Sequence, residues 1–177
     1  MVPLRKIALT MSEIRLITTG RVVGIYVSPT RRGAMRSIAE AEAVEGAGIK
    51  GDRYCDGIGS FNDASRGRGG IGTRQVSLMN ARFFAHTPFD FIDSRRNIIT
   101  EGVELLWLLK KGGKEFCIGD AVFRAVDPLD PCNVPSATSG KPGFKEAFFD
   151  CGAIIAEVLT GGRFRVGDPV FHASKGY

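Results

Sequence analysis

A mainly β chain is what this sequence predicts, and three observations carry the prediction. Short stretches alternate apolar and polar residues with period two, glycine and proline turns separate them, and the helical patterns are all brief. Six to eight short strands of this kind indicate a barrel or a sandwich. Their irregular spacing argues for a closed β-barrel with a few short helices inserted. The chain has 177 residues, 44% of them apolar and 24% charged. That is ordinary globular composition, and one domain of this size needs no disulfide or structural metal to fold. The expected division is a basic arm over residues 1–20 and a single barrel domain over 21–177.

RVVGIYV (21–27) is β-branched and apolar and runs into Ser28-Pro29, a turn signal. IAEAEAVEG (38–46) alternates from Ala39 to Val44 and reads as a half-buried strand, although Ala and Glu also suit a helix. The glycine-rich stretch 57–72 reads as a long loop, a class that is usually functional or mobile. RQVSLM (74–79) is a strand, and Asn80 is placed to cap a short helix before Pro88. RRNIIT (95–100) reads as a strand and GVELLWLLK as one or two helical turns. Residues 114–126 form a hairpin around Gly119-Asp120. PSATSGKPG reads as an irregular connection, FKEAFF as a short helix and CGAIIAEVL as an apolar strand. RFRV and PVFH, bracketed by glycine turns, complete the set.

The net charge is +5, yet residues 1–36 alone hold seven basic side chains against the single acid Glu13, leaving the remainder close to neutral. This is a solvated basic arm or, through Arg31, Arg32 and Arg36, an anion-binding element. Nucleic-acid-binding domains interleave basic residues with aromatics along strands; here aromatics are 9% and lie elsewhere. The cysteines (Cys55, Cys117, Cys132, Cys151) form no CxxC pair, and His86 and His172 form no HxxxH pair. A disulfide framework, a zinc ribbon and a Ser-His-Asp triad therefore lack support. No stretch approaches a membrane span and the N-terminus makes a poor signal peptide. The expectation is a soluble protein of a reducing, cytoplasmic compartment.

Cys132, in DPLDPCNVPS, follows a strand and sits between Pro131 and Asn133. Proline ends the pairing, so the thiol either projects into a crevice, where nearby Arg or Lys favours the thiolate, or packs as a small core residue. Cys117 reads as core, Cys151 as core or rim, and Cys55 as an exposed residue at the mouth of the glycine loop. Arg53, Arg74 and Arg95-Arg96 lie at turns and strand edges, where guanidinium forks match phosphate or carboxylate oxygens. Asp52 and Arg53 also read as an ordinary turn-stabilising pair. The glycine segment lacks GxxxxGK[ST] and is a weak phosphate motif.

Taken in order, G-I-K-G-D-R (48–53), R-Q-V-S-L (74–78), R-R-N-I-I-T (95–100), F-C-I-G-D-A-V-F (116–123), D-P-C (130–132) and R-V-G-D-P-V (165–170) resemble the MOSC family, the molybdenum cofactor sulfurase C-terminal domain. The resemblance covers about 22–170. It implies a closed barrel like the small domain of pyruvate kinase. It also implies a cysteine, matching Cys132, that carries sulfur as a persulfide or ligates molybdenum in a bound pterin. Gly51, Asp52 and Arg53 match the family's Gly-Asp-Arg element, and Arg96 and Asn97 its Arg-Asn element. Arg53, Arg74 and Arg96 are expected to hold the pterin phosphate, with Asp52 and Asn97 beside the pocket. The histidine that often follows Gly-Asp-Arg is replaced by Tyr54-Cys55, and the chain resembles the short, stand-alone members.

Three functions follow as expectations. The first is a molybdenum-cofactor protein that uses Cys132 as metal ligand and reduces small N-hydroxylated substrates with a reductase partner. The second is a sulfur carrier that takes sulfane sulfur from a cysteine desulfurase and passes it to metal-sulfur or cofactor assembly. The third is a non-catalytic barrel that binds nucleic acid through the arm. Pyridoxal phosphate is associated with part of the family, but no lysine here is set for a Schiff base.

Overall fold

A computed structural model describes residues 17–60, 72–111 and 113–172 of the chain. The arm's residues 1–16 and most of the glycine segment, 61–71, lie outside the described residues. The first strand, β1 (Ile17–Val27), begins ahead of the expected boundary at Arg21.

Seven strands close a barrel. In barrel order these are β1, β11 (Pro169–His172), β7 (Glu115–Ile118), β8 (Ala121–Pro128), β9 (Ile154–Thr160), β5 (Val76–Asn80) and β6 (Ile98–Glu101), which returns to β1. Closure falls to β1 because it is long enough to pair with β11 along one edge and β6 along the other. Register shifts at Gly20 and Gly24 bend it to do so. A Cβ at Gly20 would run into the carbonyl oxygen of Glu101, so only glycine permits that approach. All barrel pairs are antiparallel except β5–β6, whose parallel pairing requires the long crossover 81–97. A short strand, β2 (Arg36–Ser37), extends β1 outward. β3 (Glu40–Val44), β4 (Gly48–Ile49) and β10 (Gly162–Arg165) form a separate three-stranded sheet. β3 shows the alternation its sequence predicts, with Ala41 and Ala43 inward and the glutamates out.

Side chains such as Val22, Leu78, Ile98, Phe116, Phe123 and Phe164 fill the main core. The next residues along β5 and β6, Met79 and Ile99, point the other way into a second cluster with Phe84, Phe89, Phe144, Phe148 and Cys151. These two strands are thus apolar on both faces because the crossover and two short helices cover their outer side.

The crossover contains two 3-10 turns, Ala81–Phe84 and Phe91–Ser94, and Asn80 caps the first by accepting from the Arg82 N–H. GVELLWLLK supplies a third, Leu105–Leu109. Three expectations need correction. PSATSGKPG contains a helix, α1 (Val134–Ser139), because Pro135 occupies a first-turn position with no use for an N–H and Gly140 ends the helix at φ 73°. A second, α2 (Phe144–Ala147), follows as expected. The strand expected from Arg95 starts at Ile98, because Arg95 adopts a left-handed φ of 59° and turns the chain. Cys117 is half-buried and not core: Phe116 and Ile118 take the interior side of β7, and period-two geometry turns the residue between them outward.

Candidate active site

The site lies where β5 and β6 begin and β8 gives way to α1. The hub is Asp52, which follows β4 and is fully buried. Its Oδ2 accepts from the Ser28 N–H at 3.0 Å, from Asn97 Nδ2 at 3.2 Å and from Arg53 Nη1 at 3.3 Å, while Oδ1 accepts from the Tyr54 N–H at 3.1 Å. A buried carboxylate persists only when its lone pairs are met in this way. Asn97 carries the network onward: its Oδ1 accepts from the N–H and the hydroxyl of Ser77, both at 3.0 Å, and its Nδ2 also reaches the Tyr26 carbonyl at 3.2 Å. Asp52 and Asn97 thus lock four segments that are far apart in sequence, around positions 26–28, 52–54, 77 and 97. They are scaffold more than ligand.

Above this scaffold opens a cavity of about 370 Å³ lined by Arg32, Arg53, Arg74, Arg95, Arg96 and Cys132, with Tyr54 and Asp130 among the other walls. A small-molecule ligand fits that volume. Cys132 is exposed. It leaves β8 past Leu129, whose N–H is held by the Ala153 carbonyl at 2.8 Å, and enters α1 directly. The crevice reading of this thiol is therefore the one the geometry supports, not the core reading.

Arg96 is only 8% exposed and its Nε has no hydrogen-bond partner. Burial pulls this guanidinium below the usual arginine range, and the charges that Cys132 and Cys151 can carry push back. Arg95, 7% exposed, is lowered by burial and by Arg53 nearby, with Asp52, Tyr54 and Cys132 opposing. Burial also raises the Tyr54 phenol, with Arg53 opposing; the Arg53 guanidinium lies 4.9 Å from the Tyr54 ring. Buried cations with unmet donors cost several kcal/mol each unless an anion joins them. The cavity is built to receive negative charge.

All six residues expected at the site from the sequence are brought together: Arg53, Arg74, Arg96 and Cys132 line the cavity, and Asp52 supports it through Asn97, itself a wall residue. Arg32 belongs to the cavity, whereas Arg31 donates through Nε to the Ile58 carbonyl at 2.6 Å and Arg36 lies in β2. Arg95, singled out in the sequence as half of the Arg95-Arg96 pair, is a wall residue, whereas Tyr54 was signalled only by standing in place of the expected histidine. Of the other thiols, Cys151 is buried and raised by that burial, and Cys55 is half-buried and raised first by burial and then by Asp56.

A MOSC domain family model matches residues 71–171. The YuaD protein from Bacillus subtilis is similar in structure, with a TM-score of 0.67 at 18% identity, covering 88% of this chain and 97% of that one. YiiM from Escherichia coli superposes with a TM-score of 0.57 at 13% identity over 88% of this chain and 71% of its own. YiiM from Geobacillus stearothermophilus gives 0.57 at 14% identity over 90% and 75%. No curated protein sequence matches. With the family match spanning more than half its length and the closed barrel shared with these structures, the chain belongs to the MOSC domain family.

Proposed function

We propose that the cavity binds the molybdenum cofactor, with Arg53, Arg74 and Arg96 holding its phosphate and the Cys132 thiolate serving as a ligand to molybdenum. The observation that carries this reading is an exposed thiol in the same wall as a buried guanidinium whose Nε has no partner. The donor set suits the group: arginine forks match a phosphate, and a soft thiolate suits a transition metal. Among the described residues no cluster of three His, Cys, Asp or Glu could hold a metal ion. A metal here would arrive with pterin sulfurs of its own and take one ligand from the chain. Once bound, the cofactor would supply oxygen-atom or electron transfer to small N-hydroxylated compounds, with a reductase as partner. The chain's own part is to hold the phosphate, to aim Cys132 from the start of α1, and to keep the arginines in place through Asp52 and Asn97.

A second reading is favoured by the exposure of Cys132, which leaves the thiol open to another protein. In it Cys132 accepts sulfane sulfur from a cysteine desulfurase and passes it on as a persulfide. Four unpaired cysteines fit a reducing cytoplasm. Among the described residues no helix is long and apolar enough to cross a membrane.

The test is purification from a molybdenum-replete host, followed by elemental analysis and intact mass of the wild type and Cys132→Ala. Stoichiometric molybdenum that disappears in the variant supports the first reading. A cysteine adduct of about 32 Da without metal, one added sulfur atom, supports the second. Salt-sensitive retention of DNA or RNA that ignores Cys132 overturns both and favours a nucleic-acid-binding barrel.

A further inference from the structure

Cys132 lines one cavity with two sets of cations that different parts of the fold hold in place. One set is tied to the turn 28–33. Arg95 Nη1 donates to the Gly33 carbonyl at 2.7 Å, and Arg32 belongs to the turn itself at a left-handed φ of 55°. The Ser28 hydroxyl braces this turn through the carbonyls of Thr30 and Gly33. The other set is Arg53, Arg74 and Arg96. The charged surroundings of Arg96 are Cys132, Cys151, Arg74 and Tyr54, whereas those of Arg95 are Arg53, Asp52, Tyr54 and Cys132. Each set is thus within electrostatic reach of the thiol.

One phosphate does not account for both. Asp52 pairs with Arg53, and among the described residues no carboxylate forms an ion pair with Arg32, Arg95 or Arg96. What Arg95 meets is a carbonyl dipole, and it is 93% buried. A phosphate held at Arg53, Arg74 and Arg96 leaves Arg32 and Arg95 facing the cavity with no anion.

We propose that the cavity takes two anionic groups at once, and that the second belongs to the substrate: a small molecule bearing a carboxylate or a similar planar oxyanion, received by Arg32 and Arg95 beside Cys132. The guanidinium fork is the group suited to such a planar anion. The inference deepens the cofactor reading by naming the substrate's charge, and it rests on that reading for giving Arg53, Arg74 and Arg96 to the cofactor phosphate.

The experiment compares alkylation of the native protein by iodoacetate and by iodoacetamide, followed cysteine by cysteine by mass spectrometry. In each case a sulfur–carbon bond forms, iodide leaves with the bonding electrons and the thiol proton passes to water. The two reagents differ mainly in charge. Cys55, with three carboxylates (Asp56, Asp52 and Glu42) against one cation (Lys50) as its neighbouring charges, is the internal control. We expect the iodoacetate-to-iodoacetamide rate ratio at Cys132 to exceed that at Cys55 by about tenfold or more. Arg32→Gln, at an exposed position, and Arg95→Gln should each reduce that ratio about threefold or more. Both should keep the thermal stabilisation produced by inorganic phosphate. Arg74→Gln should do the reverse, losing the phosphate effect and keeping the ratio. Equal ratios at Cys132 and Cys55 would overturn the proposal. So would variants in which both readouts fall together, since that is the behaviour of a single anion site. Neither readout needs metal or persulfide, so a protein that binds no molybdenum yet keeps the preference would remove the cofactor reading alone.

Discussion

Replacing Asp52 by Asn changes one oxygen into an amide nitrogen at the most heavily bonded side chain of the site. The carboxylate accepts four hydrogen bonds, three at Oδ2 and one at Oδ1, and no part of it touches water. An asparagine in the best orientation keeps its oxygen where Oδ2 was and turns its NH2 toward the Tyr54 N–H, donor against donor. That leaves a backbone donor unmet, at a cost of about 1–3 kcal/mol. The three surviving bonds lose their ionic character, and charge-assisted bonds are roughly twice as strong as neutral ones. The total is about 3 kcal/mol, in the range for breaking a buried pair. For a domain of this size each kcal/mol moves Tm by about 2–4 °C, so a loss of about 6–12 °C is expected. Thermal melts measure it, and hydrogen exchange locates it: the amides of Ser28 and Tyr54 should lose protection before the barrel strands do. A Tm loss under about 2 °C with both amides still protected would refute the reasoning, since it would mean that the carboxylate is not what joins turn 28–33 to β6.

Three further outcomes are expected. His172 is buried, stacked 4.1 Å from the ring of Trp107 and held below its ordinary range by burial first and Lys114 second. The unfolded chain therefore takes up the proton first as pH falls, so stability is full above about pH 6.5 and declines below it. His172→Gln should flatten that decline, and emission from the sole tryptophan should titrate with a midpoint below about 6.5; a midpoint above it contradicts the burial argument. Gly119→Ala places a Cβ against the Arg163 carbonyl at a left-handed φ of 56°. Urea unfolding should show a loss of about 2 kcal/mol or more, and a smaller loss would mean that the hairpin turn relaxes. Phe144→Ala empties the second cluster, where its ring lies 4.4 Å from Phe148 and 5.2 Å from Phe89. It should cost about 3–5 kcal/mol and should speed alkylation of the otherwise protected Cys151; unchanged labelling would show that α2 does not seal that thiol.

Much of the barrel was legible because local chemistry agrees with the fold. The glutamates and alanines of β3 alternate across one sheet, Gly119-Asp120 turns the β7–β8 hairpin, and Asn80 caps the turn after β5. The errors came where tertiary contacts outweigh local pattern. Pro135 and Gly140 look like loop residues, yet they serve as the two ends of α1. Cys117 looks like core from the alternation of KEFCI, but the phase is the opposite one, since Phe116 and Ile118 take the interior of β7. At the site, the Gly-Asp-Arg and Arg-Asn stretches announced themselves by resemblance and Arg95 as one of two adjacent arginines, but its hold on Gly33, 62 positions away, was not legible because it depends on a left-handed turn.

By itself the sequence determined the strands, the turn chemistry between them and a cysteine between a proline and an asparagine at a strand exit. Those follow from side-chain period, proline's fixed φ and glycine's freedom, all of which act over a few residues. Only the tertiary structure decided that β1 closes on both β6 and β11, that Asp52 is a buried hub and not a surface turn pair, and that five arginines converge with one exposed thiol around a single cavity. The physical reason is that burial and charge density are properties of groups brought together from distant positions. A guanidinium's electrostatic cost, and hence its appetite for an anion, exists only once the fold has removed its water.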